Sequence, residues 1–283
     1  MLLSEARDTF LTYMVHRKGA SHDTIKTYRP AINKFIEFTG DIETTCLSVK
    51  LVDEYAEYIA KDNLSPRTYR NKITIIRSFV KFLYAKDLND TRPESIDVPR
   101  SKNTEMTYMT DDEAMAVIEA ARPCQRDYAL ILTLLSTGLR VSELCALRME
   151  DILDRTVVVR HGKGDKTRCT FISQEAKDAI DALRIQGYIF GNRQGEQMSR
   201  MGVLKIVKKL ALASGVQKNI GVHTFRHTFA TRYLNDGGKI EDLQQLLGHT
   251  NIQTTLLYLH FTNSHLKNAY DLVEQSRNSK LMA

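Results

Sequence analysis

Helical spacing of apolar residues dominates the first ninety positions of this 283-residue chain, lapses between Asn89 and Thr107, and then returns. A stripe recurring every three to four residues buries itself against other such stripes, so the pattern calls for packed helices, and the gap for two cores. Phe10, Leu11, Tyr13, Met14 and Val15 fall on a helix over 3–17 that breaks at Gly19. Ser21 opens a second helix, with Tyr28, Ile32, Phe35 and Phe38 in register and Gly40 as its stop; Pro30 within it predicts a kink or a late start. A third is expected over 48–61. The fourth begins at Ser65-Pro66, a cap with proline in the first turn, and runs through Ile73, Ile76, Phe79, Phe82 and Leu83. Four helices on short connections make a compact all-α domain over 1–88.

Pro93 and Pro99, set among Asp, Ser, Lys and Arg, read as an extended linker over 89–107. Thr110-Asp-Asp-Glu113 has capping-box spacing and opens a second domain, 108–283. That domain is mostly helical with one β-interruption. Residues 156–160 and 167–172 are strand-like around the turn His161-Gly-Lys-Gly-Asp-Lys166, and Tyr188-Ile-Phe190 is a candidate third strand. Helices are expected over 204–213, 223–235, 240–247 and 251–259, and a last amphipathic segment carries Leu266, Ala269, Tyr270 and Val273. The expected fold class is mainly α and two-domain, with a small antiparallel sheet in the second domain.

Lys and Arg exceed Asp and Glu by 40 to 34, a mild pointer to a polyanionic partner. The four cysteines lie far apart with no C-x-x-C pair, which argues against a zinc ribbon or redox motif and fits reduced thiols in the cytoplasm. Acidic residues within the first ten positions argue against a signal peptide, and no apolar run reaches the length of a membrane span.

Four segments carry chemistry. In Thr137-Gly-Leu-Arg140-Val-Ser-Glu143-Leu144 an arginine follows a buried helix and a glycine, with Glu143 three residues on to orient it. Lys163 stands between Gly162 and Gly164; the Ser or Thr of a P-loop is missing, so no Walker motif is present. In His223-Thr-Phe-Arg226-His227, His223 and Arg226 share a helical face. The His223/His227 spacing also occurs in zinc sites, but without a nearby acid a packing or hydrogen-bonding role suits His227 better. In Leu247-Gly248-His249, Gly248 stops a helix, His249 occupies the turn, and Tyr258 follows nine residues later on the next helix. Taken singly, each has a bland alternative: a surface ion pair, a solvated hairpin lysine, or a half-buried packing tyrosine.

In combination and in this order, T-G-L-R-x-S-E-L, G-K-G-x-K, H-x-x-R-H and L-G-H followed by tyrosine resemble the tyrosine recombinase (phage integrase) family, especially its Xer-like members. Phe225 stands where leucine is common, a small departure. The resemblance implies a SAM-like N-terminal DNA-binding domain, a catalytic domain, and a C-shaped clamp on DNA. It implies a site-specific recombinase that forms a covalent 3′-phosphotyrosyl intermediate, with Arg140, Lys163, His223, Arg226, His249 and Tyr258 as the active site. Arg140 and Arg226 would meet phosphate charge, His223 would serve as general base, Lys163 as general acid, and His249 as a hydrogen-bond donor. No cofactor or metal is expected, because the phosphotyrosyl bond conserves the energy for religation. Lys26, Arg29, Arg67, Arg70 and Lys72 are N-terminal candidates for phosphate contacts. The implied partner is double-stranded DNA with inverted-repeat sites, bound by a homo-tetramer or a hetero-tetramer with a related recombinase, the tail over 263–275 docking on a neighbour. A type IB topoisomerase-like enzyme and a catalytically silent DNA-binding protein remain as alternatives.

Overall fold

A computed structural model describes residues 1–99, 106–160, 167–192 and 194–259. The chain divides into two compact units, Met1–Thr104 and Glu105–Ala283. The first holds α1 (Leu3–Lys18), α2 (His22–Thr39), α3 (Val49–Ala60) and α4 (Pro66–Tyr84). Ser21, Ser48 and Ser65 cap the last three, each hydroxyl accepting from the backbone N–H three residues on and satisfying a donor that the helix leaves free. Phe10, Ile32, Phe35, Tyr55, Ile76 and Phe79 fill the core, with Phe35 edge-on to Tyr55 at 5.0 Å.

Two expectations change here. The second helix starts at His22, directly after its Ser21 cap, so Pro30 does not delay its start but lies inside it. Pro30 is exposed, so the carbonyl deprived of its N–H partner lies on the wet side of the helix. The stretch from Asn89, expected as linker, packs against the first unit instead. The Asn89 side chain donates to the carbonyls of Thr44 and Leu47, both at 2.8 Å, and Ile96 is buried in the core.

The second unit opens on α5 (Asp111–Ala121), where Thr110 and Glu113 exchange capping-box hydrogen bonds. Helix α6 (Gln125–Thr137) runs through its middle, with Ala129, Leu130, Ile131, Leu132 and Leu134 all buried. After α7 (Val141–Ala146) come β1 (Ile152–Leu153), β2 (Thr156–Val159) and β3 (Arg168–Phe171), an antiparallel sheet in that order with Val157 opposite Thr170 and Val159 opposite Arg168. The third strand is therefore Ile152–Leu153 and not Tyr188–Phe190. Tyr188 makes only an isolated bridge to Arg148, and Ile189 and Phe190 are apolar because both are buried in the core. Helices α8 (Gln174–Asp181), α9 (Arg200–Ala213), α10 (Val222–Asn235), α11 (Ile240–Leu247) and α12 (Gln253–Leu256) complete the unit. Helix α12 is shorter than expected: Thr255 and Tyr258 donate to carbonyls three residues back, so Tyr258 sits in a tight turn beyond the helix. No helix among the described residues is long and apolar enough to cross a membrane.

Candidate active site

Two helix C-termini build the floor of the site. Helix α6 ends at Gly138 (φ +61°) and α11 at Gly248 (φ +64°), left-handed conformations that side chains disfavour. Space enforces glycine as well: a Cβ at Gly138 would lie 2.5 Å from Phe229 Cδ1, and one at Gly248 would lie 2.6 Å from Arg168 Cδ. Carbonyls at a helix C-terminus lack intrahelical donors and carry partial negative charge. The carbonyls of Gly138 and Leu247 converge on Arg226 from α10, accepting from Nη1 and Nη2, each at 2.6 Å. Arg226 is only 4% exposed. Burial, and then the neighbouring Arg140, lower its pKa to about 10, which still leaves it cationic at neutral pH.

Arg140 caps α7 and is fixed from two directions. Its backbone N–H donates to Glu143 Oε2 and its Nη1 to Glu143 Oε1, both at 2.8 Å, while Nη2 reaches the Gly248 carbonyl at 3.3 Å. Glu143 also receives Arg168 from β3 as a bidentate fork, 2.8 Å on each oxygen, and Arg168 Nε donates to the Leu246 carbonyl at 3.0 Å. Burial alone would raise the Glu143 carboxyl, but Arg168 and Arg140 outweigh it and hold its pKa at about 2. Arg140 and Arg168 thus share one carboxylate while Arg226 is held by carbonyls, which leaves the cluster positive and suited to a phosphodiester.

His249 lies in the turn after α11. Its Nε2 is 3.0 Å from Arg226 Nη2, and its Nδ1 is 2.9 Å from Thr255 Oγ1. A guanidinium can only donate, so Nε2 accepts and Nδ1 carries the proton, giving it to Thr255. Burial, then Arg226, Arg140, Arg168 and His227, depress the imidazole to about 4 and keep it neutral. The Tyr258 ring lies parallel to that of His249, centroids 6.5 Å apart, and packs with Ala230, Leu234, Leu243 and Leu247 at 3% exposure. Its hydroxyl lies 3.1 Å from His227 Nδ1. Burial raises the phenol, opposed by Arg226 and Arg140, and the net shift is upward.

Arg140, Arg226, His249 and Tyr258 therefore meet in one place. His223 is exposed on the first turn of α10, one turn before Arg226. Lys163 and its flanking glycines lie outside the described residues, as does the tail over 263–275. Of the N-terminal candidates, Lys26, Arg29, Arg67 and Arg70 are exposed and Lys72 is half-buried. Arg29 pairs with Asp8 at 2.8 Å, and Arg70 Nε donates to the Pro99 carbonyl. Among the described residues no three His, Cys, Asp or Glu side chains group as metal ligands, the His223/His227 pair included. Sequence reasoning missed Arg168, Thr255 and the tie between His227 and Tyr258. Arg168 had a signal in strand alternation: Thr170 is buried, so Arg168 on the same face points inward and must find a counter-charge.

Residues 107–265 match the phage integrase family, and residues 8–87 match the N-terminal SAM-like domain of phage integrases. The chain is 32% identical to the tyrosine recombinase XerC of Thermodesulfovibrio yellowstonii, over 93% of each protein. It is 31% identical to XerD of Listeria innocua, covering 95% of this chain and 98% of that one. A lambda integrase dimer bound to a COC′ core site superposes with a TM-score of 0.77 at 18% identity, over 91% of this chain and 95% of that one, a likeness of fold.

Proposed function

The chain belongs to the phage integrase family of tyrosine recombinases, and from that membership we propose that Tyr258 is the nucleophile of its strand-cleavage reaction. The protein is a site-specific DNA recombinase that breaks and rejoins strands through a covalent 3′-phosphotyrosyl intermediate. The observation that carries the assignment of residues is the convergence of Arg226 with His249, beside Arg140 and the Tyr258 ring, on two glycine-capped helix ends. Pentavalent phosphorus accumulates negative charge on its non-bridging oxygens, and cations fixed before the substrate arrives stabilise it without reorganising. Arg140 and Arg226 serve this role, the former through the face not committed to Glu143. When a phosphoryl oxygen takes Arg226 Nη2, His249 Nε2 loses its donor, and the added negative charge favours a protonated ring that can donate to phosphate.

His223, exposed on the first turn of α10 one turn before Arg226, serves as the general base for the Tyr258 proton. Lys163 delivers the proton to the departing 5′ oxygen, in keeping with the pattern G-K-G-x-K. Exposed Lys26 and Arg67 contribute phosphate contacts, for which their position on α2 and α4 speaks. The working assembly is a homo-tetramer, or a hetero-tetramer with a related recombinase, on inverted-repeat DNA. Tyr258→Phe tests the core of the reading: the variant binds DNA but leaves no denaturation-resistant protein–DNA band on a nicked suicide substrate. Such a band from the variant overturns it.

A further inference from the structure

The Tyr258 ring belongs to a small apolar cluster of its own, distinct from the main core of the second unit. Its other members come from α10, α11 and the turn that follows them, with one exception among the described residues. Half-buried Met106 arrives from the opposite end of the sequence, as the second residue of the unit. We infer that Met106 is a positioning residue for Tyr258: it walls the nucleophile's seat, a role that rests on Tyr258 being the nucleophile.

The chain that carries Met106 is pinned within a few residues. Met109 is 1% exposed in the main core, and its backbone N–H donates to Thr228 Oγ1 at 2.9 Å, a buried bond to α10. Thr228 gives its own proton to the Thr224 carbonyl at 2.8 Å, so its oxygen is left to accept from Met109. Lys218, in the loop before α10, donates to the Tyr108 carbonyl at 3.2 Å and to Glu113 at 2.7 Å. Arg232 also pairs with Asp111 at 2.6 Å, but Asp111 is 88% exposed, so the hold rests on the buried Thr228 bond. Segment 106–113 thus touches both apolar clusters, and the wall at Met106 is set by a chain rooted in the main core. An unbranched thioether fills an irregular gap of this kind well. Alanine there leaves space into which neighbouring side chains can relax, and the phenol loses a fixed boundary. In-line attack tolerates little of that: a misplacement of about 1 Å can cost ~10²-fold in rate.

The test is single-turnover cleavage of a nicked suicide DNA at saturating concentration, with gel-shift affinity measured beside it. Met106→Ala should lower the rate constant roughly 10-fold or more while leaving affinity unchanged. Met106→Leu, close in volume, should restore most of the rate. Thr228→Val leaves the Met109 N–H without its acceptor and should slow cleavage in the same sense with Met106 intact. Met115→Ala, which truncates an exposed methionine of α5, should match wild type. A reduced folded fraction lowers the amplitude of the time course and not its rate constant. With 3-fluorotyrosine at position 258, the ¹⁹F resonance of the DNA-free protein should shift or split in Met106→Ala and stay in place in Met115→Ala. Cleavage by Met106→Ala at the wild-type rate or faster, or a slowed rate with the ¹⁹F signal unmoved, overturns the inference. An adduct persisting in Tyr258→Phe would instead mark failure of the nucleophile assignment itself.

Discussion

Replacing Glu143 by Gln removes the one carboxylate that Arg140 and Arg168 share, and the structure sets the size of the effect. The folded carboxyl titrates near 2 against an ordinary 4.5, a difference worth about 3 kcal/mol of folding free energy at neutral pH. A depressed carboxylate pKa contributes stability above the unfolded value, which fades as pH falls through 4.5 toward 2. The Glu143 side chain is 4% exposed and that of Arg168 10%, so water screens the pair little. Taking one partner from a buried ion pair leaves the other uncompensated, which is why the loss approaches the full value. For a unit of this size about 3 kcal/mol corresponds to a fall in Tm of roughly 6–12 °C. Thermal unfolding of wild type and Glu143→Gln from pH 7 down to 3 is the assay. The two curves should lie far apart at neutral pH and draw together in acid. Near-identical Tm values at pH 7, or a gap that does not narrow, would refute the claim that this carboxylate organises the cluster.

Arg226→Lys cannot span the Gly138 and Leu247 carbonyls and His249 at once; adduct formation should drop ~10²–10³-fold while gel-shift affinity changes little. Gly248→Ala combines a left-handed φ with a Cβ pressed on Arg168, and should cost roughly 1–2 kcal/mol in unfolding titrations together with slowed cleavage. Lys26→Ala with Arg67→Ala should reduce the slope of log affinity against log salt by about two, read from binding at several salt concentrations, because each removed phosphate contact withdraws one released counterion.

Most helices and both domain cores were legible because their causes are local. Ser21, Ser48, Ser65 and Thr110 announce helix starts by their own side chains, and Gly138 and Gly248 announce the stops that frame the site. Arg140 with Glu143 was legible from three-residue spacing. What escaped was decided by contacts distant in sequence. Arg168 reaches Glu143 across 25 residues and His227 reaches Tyr258 across 31, and no periodicity encodes either. The apolar run Tyr188–Phe190 imitated a strand because a buried loop and a buried strand have the same composition. The helix expected to carry Tyr258 shortened because Thr255 turns its hydroxyl to His249 and the chain closes in three-residue turns that bring the phenol inward.

The central claim concerns one oxygen atom, and the most direct measurement identifies it. The protein is trapped on a nicked suicide DNA, digested with nuclease and protease, and the peptide bearing the residual nucleotide is sequenced by mass spectrometry. The account predicts a 3′-phosphonucleotide on Tyr258 and on no other residue. Attachment to a different tyrosine, or to a serine, contradicts it.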